Sequence, residues 1–430
     1  MLAIQFYLCA RLLYLIAFEG KFSPTPVDEA IAVILIPCAL MFFANMFRFG
    51  RAVLATSLLL LYVVSISVGY FVVGRFIGIT FSNAMIAIIL ELKFVLILTA
   101  TIYLVNYNAF TERNLEFFFK TIVWLSIFNS FFVLRDFISI TDIYGQTLGV
   151  RSGWITPNGI LGHKTPSAQL HFLGFIASLC LVVRKPSLGM QLICISNFIL
   201  TILHQGAKET VCAIIVSLYF LSKIYDIPAI LKVLFGVIAL TISLAALSND
   251  AFEIGALERV SFYLSEDGDD SARRRLLAAG MQIASEHFPF GTGAGSFGSE
   301  PSRNEPFSPV YGLYNINGFG MDAQNSSFLM DGLWHKVLGE GGVFGAFCLA
   351  AFLILITYCF RNRSRADARL LKNVGQSYVY FYFGIILLVI ISSFASPILS
   401  SEMISLPFAI ACAFLLNSYQ KSFGADSPPS

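Results

Sequence analysis

Charge is what this chain has least of. Asp, Glu, Lys and Arg make up 13% of its 430 residues, against about 25% in a soluble domain. So few charges exclude an ordinary soluble globular protein. The net charge of +2 gives bulk electrostatics no reason to attract nucleic acid. Cysteine is present but confined. All eight residues, Cys9, Cys38, Cys180, Cys194, Cys212, Cys348, Cys359 and Cys412, fall in apolar runs, which argues against a disulfide framework or a zinc site. No internal repeat and no low-complexity tract is visible. A cleaved leader is not expected either, because Arg11 interrupts the first apolar run, Met1–Phe18, and no small-residue cleavage site stands out.

What fills the chain is apolar sequence, 57% of all residues. A bilayer-spanning helix needs about 20 mostly apolar residues. By that measure the sequence predicts an all-α polytopic membrane protein of about twelve spans, at 1–18, 29–47, 52–74, 84–107, 116–134, 167–183, 188–205, 209–225, 228–248, 337–360, 377–394 and 397–416. The expected organisation is a bundle over 1–248, one large polar loop with short helices over 249–336, and a second bundle with a tail over 337–430. Lys and Arg in short loops set orientation. Arg361, Arg363, Arg365, Arg369 and Lys372 form the strongest cytoplasmic signal. Counting from it makes both termini cytoplasmic and turns 136–166 and 249–336 outward, toward the periplasm in a bacterium.

The polar loop is where chemistry is expected. Ser271 or Asp270 suits the N-cap of a helix through about His287. Leu277, Met281, Ala284 and Phe288 recur at helical spacing and predict its apolar face. Arg273, Arg274 and Arg275 occupy its first turn. Guanidinium forks and a helix N-terminus together suit a pyrophosphate, although Asp267, Asp269 and Asp270 next door offer these arginines an alternative set of partners. The run FPFGTGAGSFG follows, where Gly291, Gly293, Gly295 and Gly298 either let a ligand approach the backbone or make a tight turn back to the membrane. Near the end of the loop Asp331, His335 and Glu340 are candidate general bases, with His335 equally suited to an interfacial place beside Trp334. Glycines 339, 341, 342 and 345 let the following helix pack closely. No His, Asp and Glu cluster in the loop has metal-ligand spacing, so no metal is expected.

Upstream, RSGWITPNGILGHK places Arg151, His163 and Lys164 at the outer end of the sixth span, as ligand groups or as headgroup anchors. Lys208, in HQGAKET, is a functional candidate if it lies at membrane depth and a snorkelling residue if it lies at the interface. Glu91 and Lys93 interrupt the fourth span two residues apart, so they do not face each other. Each needs a partner elsewhere, as does Glu402.

These passages together resemble the O-antigen ligase and polysaccharide polymerase superfamily of bacterial inner membranes. RSGWITPNGILGHK resembles its Arg–Gly–His–Lys passage. GAKET resembles its small-residue–Arg motif, with Lys208 in place of Arg. The spacing of Arg275 and Gly291 resembles its arginine-to-glycine interval, and PFGTGAGSF its Pro-x-x-Gly-x-Gly turn. Gln324-Asn325 is similar to the His-Asn pair of ligases, and Asp331-Gly332 has that pair's spacing to Gly342. The absent histidine favours a polymerase over a lipid A ligase. The resemblance implies metal- and cofactor-independent glycosyl transfer at the periplasmic face of the inner membrane. Undecaprenyl-pyrophosphate-linked glycans would be donor and acceptor, and chain-length regulator and export proteins further partners. It implies Asp331, Arg275 and His335 as catalytic residues, and Arg151, His163, Lys164, Lys208, Arg273, Arg274, Gly291 and Gly293 as substrate contacts. The competing expectations are a ligase that transfers finished glycan and a transporter of lipid-linked oligosaccharide.

Overall fold

A computed structural model describes residues 26–107, 112–142, 145, 147–151, 154–204, 206–224, 272–316, 321–326, 328–330, 332–370, 375–394, 396, 399 and 402–423. The spans expected at 1–18 and 228–248, and Asp331, lie outside the described residues. In chain order the elements are α1 (Pro26–Ala44), α2 (Arg51–Gly69, continued by a π turn over Tyr70–Gly74), α3 (Phe81–Asn106), α4 (Glu112–Ser139), a short antiparallel ladder of β1 (Val150–Arg151) and β2 (Trp154–Ile155), α5 (Lys164–Arg184), α6 (Leu188–Leu203), α7 (Ala207–Ile224), α8 (Ala272–Glu286), α9 (Glu300–Arg303), α10 (Pro309–Leu313), α11 (Trp334–Leu370), α12 (Gly375–Ser393) and α13 (Glu402–Phe423).

The protein is a helical membrane protein. Among the described residues, five stretches are long and apolar enough to cross a bilayer: Arg51–Gly74, Phe81–Asn106, Asn114–Ser139, Lys164–Arg184 and Trp334–Asn362. Shorter apolar helices stand at Ile34–Ala44, Leu188–Leu203, Tyr378–Ser393 and Ile404–Leu416. Their outer faces are as apolar as their inner ones. On α2 the exposed side carries Leu54, Leu61 and Val64, and on α4 it carries Trp124, Phe128, Phe131 and Leu134. A surface helix in water is polar on that side. A helix facing lipid has no reason to be, because its backbone groups are satisfied internally.

The chain divides into two compact units that interleave in sequence. One comprises Met1–Ile34, Tyr107–Ser261 and Ser364–Leu388, and the other Leu35–Asn106, Phe262–Arg363 and Val389–Ser430. In the first unit α5 is the central helix, with every residue from Ser167 to Leu181 buried. It packs against α4, α6 and α7, and Ile176 meets Gly384 of α12. At Gly174 three helices come so close that a Cβ would collide with Ser126 of α4 and Asn197 of α6.

In the second unit α3 packs against α2 and α13. Phe94 stacks on Phe408, with ring centroids 5.9 Å apart. Helix α11 is broken at Gly342, which takes φ 62° and ψ −163°, a conformation open to glycine alone. A break in a helix frees carbonyls that need new donors. The loop after α8 supplies them: Thr292 N–H donates to Gly339 O at 2.8 Å and Gly293 N–H to Glu340 O at 3.0 Å. Ser65 Oγ donates to Gly341 O at 2.7 Å. Phe344 N–H, beyond the break, finds Pro289 O at 3.1 Å, and Ala294 N–H takes Ile66 O at 2.9 Å where α2 widens into its π turn. The glycine run is thus a plug between α2 and α11.

Candidate functional site

In the first unit α4 holds a turn in place. Asp136 accepts from Asn158 N–H at 2.9 Å and Gly159 N–H at 2.7 Å. Asn129 Oδ1 accepts from Ile160 N–H at 3.0 Å, and its Nδ2 donates to Ser167 Oγ at 3.1 Å and to His171 Nε2 at 3.0 Å. That bond makes His171 Nε2 an acceptor, so Nδ1 carries the proton it gives to Asn197 Oδ1 at 3.1 Å. His204 stacks on His171 with centroids 5.1 Å apart and donates from Nδ1 to Pro157 O at 3.1 Å. The whole rail is buried, and its hydrogen bonds run through α4, α5, α6 and the 157–160 turn.

Three basic residues lie together at this turn and at the start of α7. His163 is the N-cap of α5, its Nδ1 accepting from Thr165 N–H at 3.2 Å. Lys164 is the first residue of that helix, and Lys208 is the second residue of α7. His163 keeps an open edge, yet the surrounding chain desolvates it, and with the ammoniums of Lys164 and Lys208 this holds its pKa below the ordinary imidazole value. Glu209, the neighbour of Lys208, is wholly buried beside Gln169, with Oε2 against Gly206. Two helix N-termini and three basic side chains make this a site suited to an anion with several oxygens. Arg151 belongs to the ladder just before the turn, its backbone paired with Trp154.

The second unit carries the other sequence-predicted residues. Helix α8 spans Ala272–Glu286, close to the expected range, but its buried face is not the expected one. Leu276, Ala279, Gly280, Ile283 and Ala284 are buried, whereas Leu277, Met281 and Phe288 are exposed. The cause is Gly280, which lies against the backbone of His335. Small residues let α8 approach α11 more closely than the Leu277–Met281 stripe would allow. Arg275 therefore sits half-buried at the edge of the packed face, and Arg273 and Arg274 are exposed. Beyond α8, Tyr314 Oη donates to Glu286 Oε2 at 2.7 Å and lies 3.1 Å from His287 Nε2. Hydrogen bonds from Gln282 and Tyr314 hold Glu286 below the usual carboxylate pKa, and burial together with Glu286 pushes Tyr314 up.

Two expected substrate contacts are corrected by this packing. Gly291 and Gly293 are buried, with φ 66° and 89°. A Cβ on either would strike the backbone of α11 or of Tyr70. Their backbone is engaged by the protein itself, so the tight-turn alternative holds for the glycine run. His335 is buried too. It donates from Nε2 to Leu329 O at 3.1 Å and packs edge-on to Phe297, with Gly332 against Nδ1. It ties the turn before α11 to the glycine plug rather than facing a substrate.

The sequence points to Glu91 and Glu340 singly but not to Lys336, which lies with both. Glu91 is paired with Lys336, which answers the question raised by its position in an apolar span. Glu340 lies within electrostatic reach of both. Asn129, Asn197 and His204 in the first unit were missed as well. The available signal was an amide inside an otherwise apolar run, as in SIFNSFF and ISNFIL.

Fold and sites together define a helical membrane protein with an anion-suited basic cluster at two helix N-termini. No family model matches the chain, and no curated protein matches it.

Proposed function

We propose that this protein is a polysaccharide polymerase that joins undecaprenyl-pyrophosphate-linked oligosaccharide repeats. In this reading the chain crosses the bacterial inner membrane about twelve times, with both termini cytoplasmic and the 136–166 and 249–336 segments in the periplasm. The observation that carries the reading is the convergence of His163, Lys164 and Lys208, three residues from two separate sequence motifs, at the N-termini of α5 and α7.

The chemistry asks for such a cluster. The acceptor's sugar hydroxyl attacks the anomeric carbon of the donor, the bond from that carbon to the pyrophosphate oxygen breaks, and the hydroxyl proton passes to a base. Charge builds on the departing pyrophosphate, so fixed cations stabilise the transition state more than the ground state. Lys164, Lys208 and His163 take that role in the first unit. The Arg273–Arg275 run, with Arg275 at its packed edge, is the second unit's own anion-binding feature. Asp331 is the proposed base. Chain-length regulator and export proteins are its expected partners. Transfer of finished glycan by a ligase is the alternative; Gln324-Asn325 is similar to the ligase pair but lies too far upstream of Gly342 and lacks its histidine.

The test is turnover of one defined lipid-linked repeat by the purified protein. Lys164→Ala combined with Lys208→Ala should lower it by about ten-fold or more, since losing a charge-assisted contact of this kind costs on the order of 2–5 kcal/mol. Parent-rate polymer from a double variant that reaches the membrane in normal amount would remove the cluster from the mechanism.

A further inference from the structure

A second buried polar site lies wholly within the other unit, and its argument does not depend on the reaction proposed above. Glu91 on α3 and Lys336 on α11 form an ion pair whose side chains are only 14% and 7% exposed. Glu340, one helical turn further along α11, is fully buried. Its Oε1 accepts from Ser299 Oγ at 2.6 Å and from Phe297 N–H at 3.2 Å. Its Oε2 is buried with no partner, and so is the hydroxyl of Tyr62 on α2. Tyr62 lies against this part of α11. Its ring covers Gly341, and it interacts with both Glu91 and Glu340.

Charge counting shows what is missing. The groups facing Glu340 are Tyr62 from α2, Glu91 from α3, Lys336 from α11 and Tyr311 from α10. Tyr311 is already committed, accepting from Gly298 N–H at 2.8 Å and bonded to Ser302 Oγ at 2.8 Å. His335 points away, to Leu329 O. Two carboxylates therefore share one ammonium in a membrane interior, where an uncompensated charge is strongly disfavoured. One further positive charge balances the site, and it must fall near the unpartnered Oε2.

We propose that Tyr62, Glu91, Lys336 and Glu340 form an intramembrane proton-binding site, with the bound proton on Oε2 of Glu340. The proton neutralises a carboxyl oxygen that no donor reaches, on the side of α11 that faces α2, where the Tyr62 hydroxyl is unpartnered as well. Glu91 and Lys336 remain a neutral pair. Because Oε1 of the same carboxyl group holds Phe297 and Ser299, the site also fastens the glycine plug to α11. Releasing the proton leaves two carboxylates on one ammonium and weakens that fastening.

The test compares the purified parent with Glu340→Gln, which keeps the Oε1 acceptor and supplies a neutral donor where the proton sits. Infrared spectra at neutral pH should show a carbonyl band of a buried carboxylic acid in the parent that is missing in the variant. An ionised-carboxylate band lost in its place would overturn the proposal. In this proposal the folded protein holds a proton that an unfolded glutamate has already released in the acidic range, so parent stability falls as pH rises above that range. Its melting temperature should drop by several degrees from mildly acidic to alkaline pH in sodium-free buffer, and that of Glu340→Gln should stay flat. Stabilisation of the parent by added sodium at fixed pH would assign the balancing charge to a metal ion and also defeat the proposal. Should Glu340→Gln not accumulate, Glu340→Asp keeps the proton and must shift the same acid band. An unshifted band would place the proton elsewhere.

Discussion

The two units bury polar groups in opposite ways. In the first, Asn129, Ser167, His171 and Asn197 are joined by hydrogen bonds between neutral groups, and His204 stacks on His171 and bonds Pro157 O. In the second, Glu91, Lys336 and Glu340 rely on charge. A neutral network is directional: each bond fixes the orientation of an amide or imidazole, and the first unit uses this to aim the 157–164 turn and the cations it carries. A charged cluster is less directional but depends on the count of charges. Positioning is the product of the first arrangement, and sensitivity to a single added or lost charge is the product of the second.

The sharpest way to break this contrast is to remove one half of the ion pair. Lys336→Ala leaves Glu91 and Glu340 with no ammonium between them and should destabilise the second unit by about 3–5 kcal/mol. Replacing both residues, as in Glu91→Leu with Lys336→Met, should cost much less than the two single changes summed. Thermal unfolding of the three variants in detergent decides this, and additive losses would show that the pair does not act as a pair.

A smaller effect is expected in the neutral network. Asn129→Ala leaves Ile160 N–H, Ser167 and His171 short of partners at once. An unsatisfied buried group costs about 1–3 kcal/mol. The same variant should reduce binding of inorganic pyrophosphate, because the turn that aims His163 and Lys164 is no longer held. Calorimetry that finds parent affinity in a destabilised Asn129→Ala protein would separate the rail from the cations.

The smallest effect concerns His163. Its depressed pKa means that the folded protein gains a third positive charge only as pH falls below the usual imidazole range. Pyrophosphate binding should then tighten by roughly two- to five-fold, the scale of an open ion pair, and His163→Gln should abolish the change. Stability runs the other way. The unfolded chain binds this proton more readily, so the contribution of His163 is present above the unfolded pKa and is lost as pH falls through the folded one.

Much of this architecture is legible in the sequence. The apolar runs foretold α2, α3, α5, α6 and α11, and the HQGAKE interruption foretold the division between α6 and α7. His163, Lys164 and Lys208 stood out as basic residues beside membrane spans, and the structure gathers them. Periodicity was less informative on α8, where Leu276–Ile283 and Leu277–Met281 form adjacent apolar stripes. Nothing in the spacing records that Gly280 allows the closer approach. The partner of Glu91 was hidden for a different reason. It lies 245 residues away, and charge pairing across that separation leaves no local pattern. The break at Gly342 was hidden because a glycine that kinks a helix and one that packs a helix look alike in sequence.

That break has a consequence for biogenesis. The carbonyls of Ile66, Gly339 and Glu340 are completed by amides from the 292–294 segment, and Gly341 is completed by Ser65, 276 positions earlier. Ile66 O also accepts from Tyr70 N–H within its own helix, so α2 does not wait for the loop. Helix α11 cannot settle until the segment before it has folded back. The polar loop thus completes α11 at its break, and that helix and the loop before it form one folding unit.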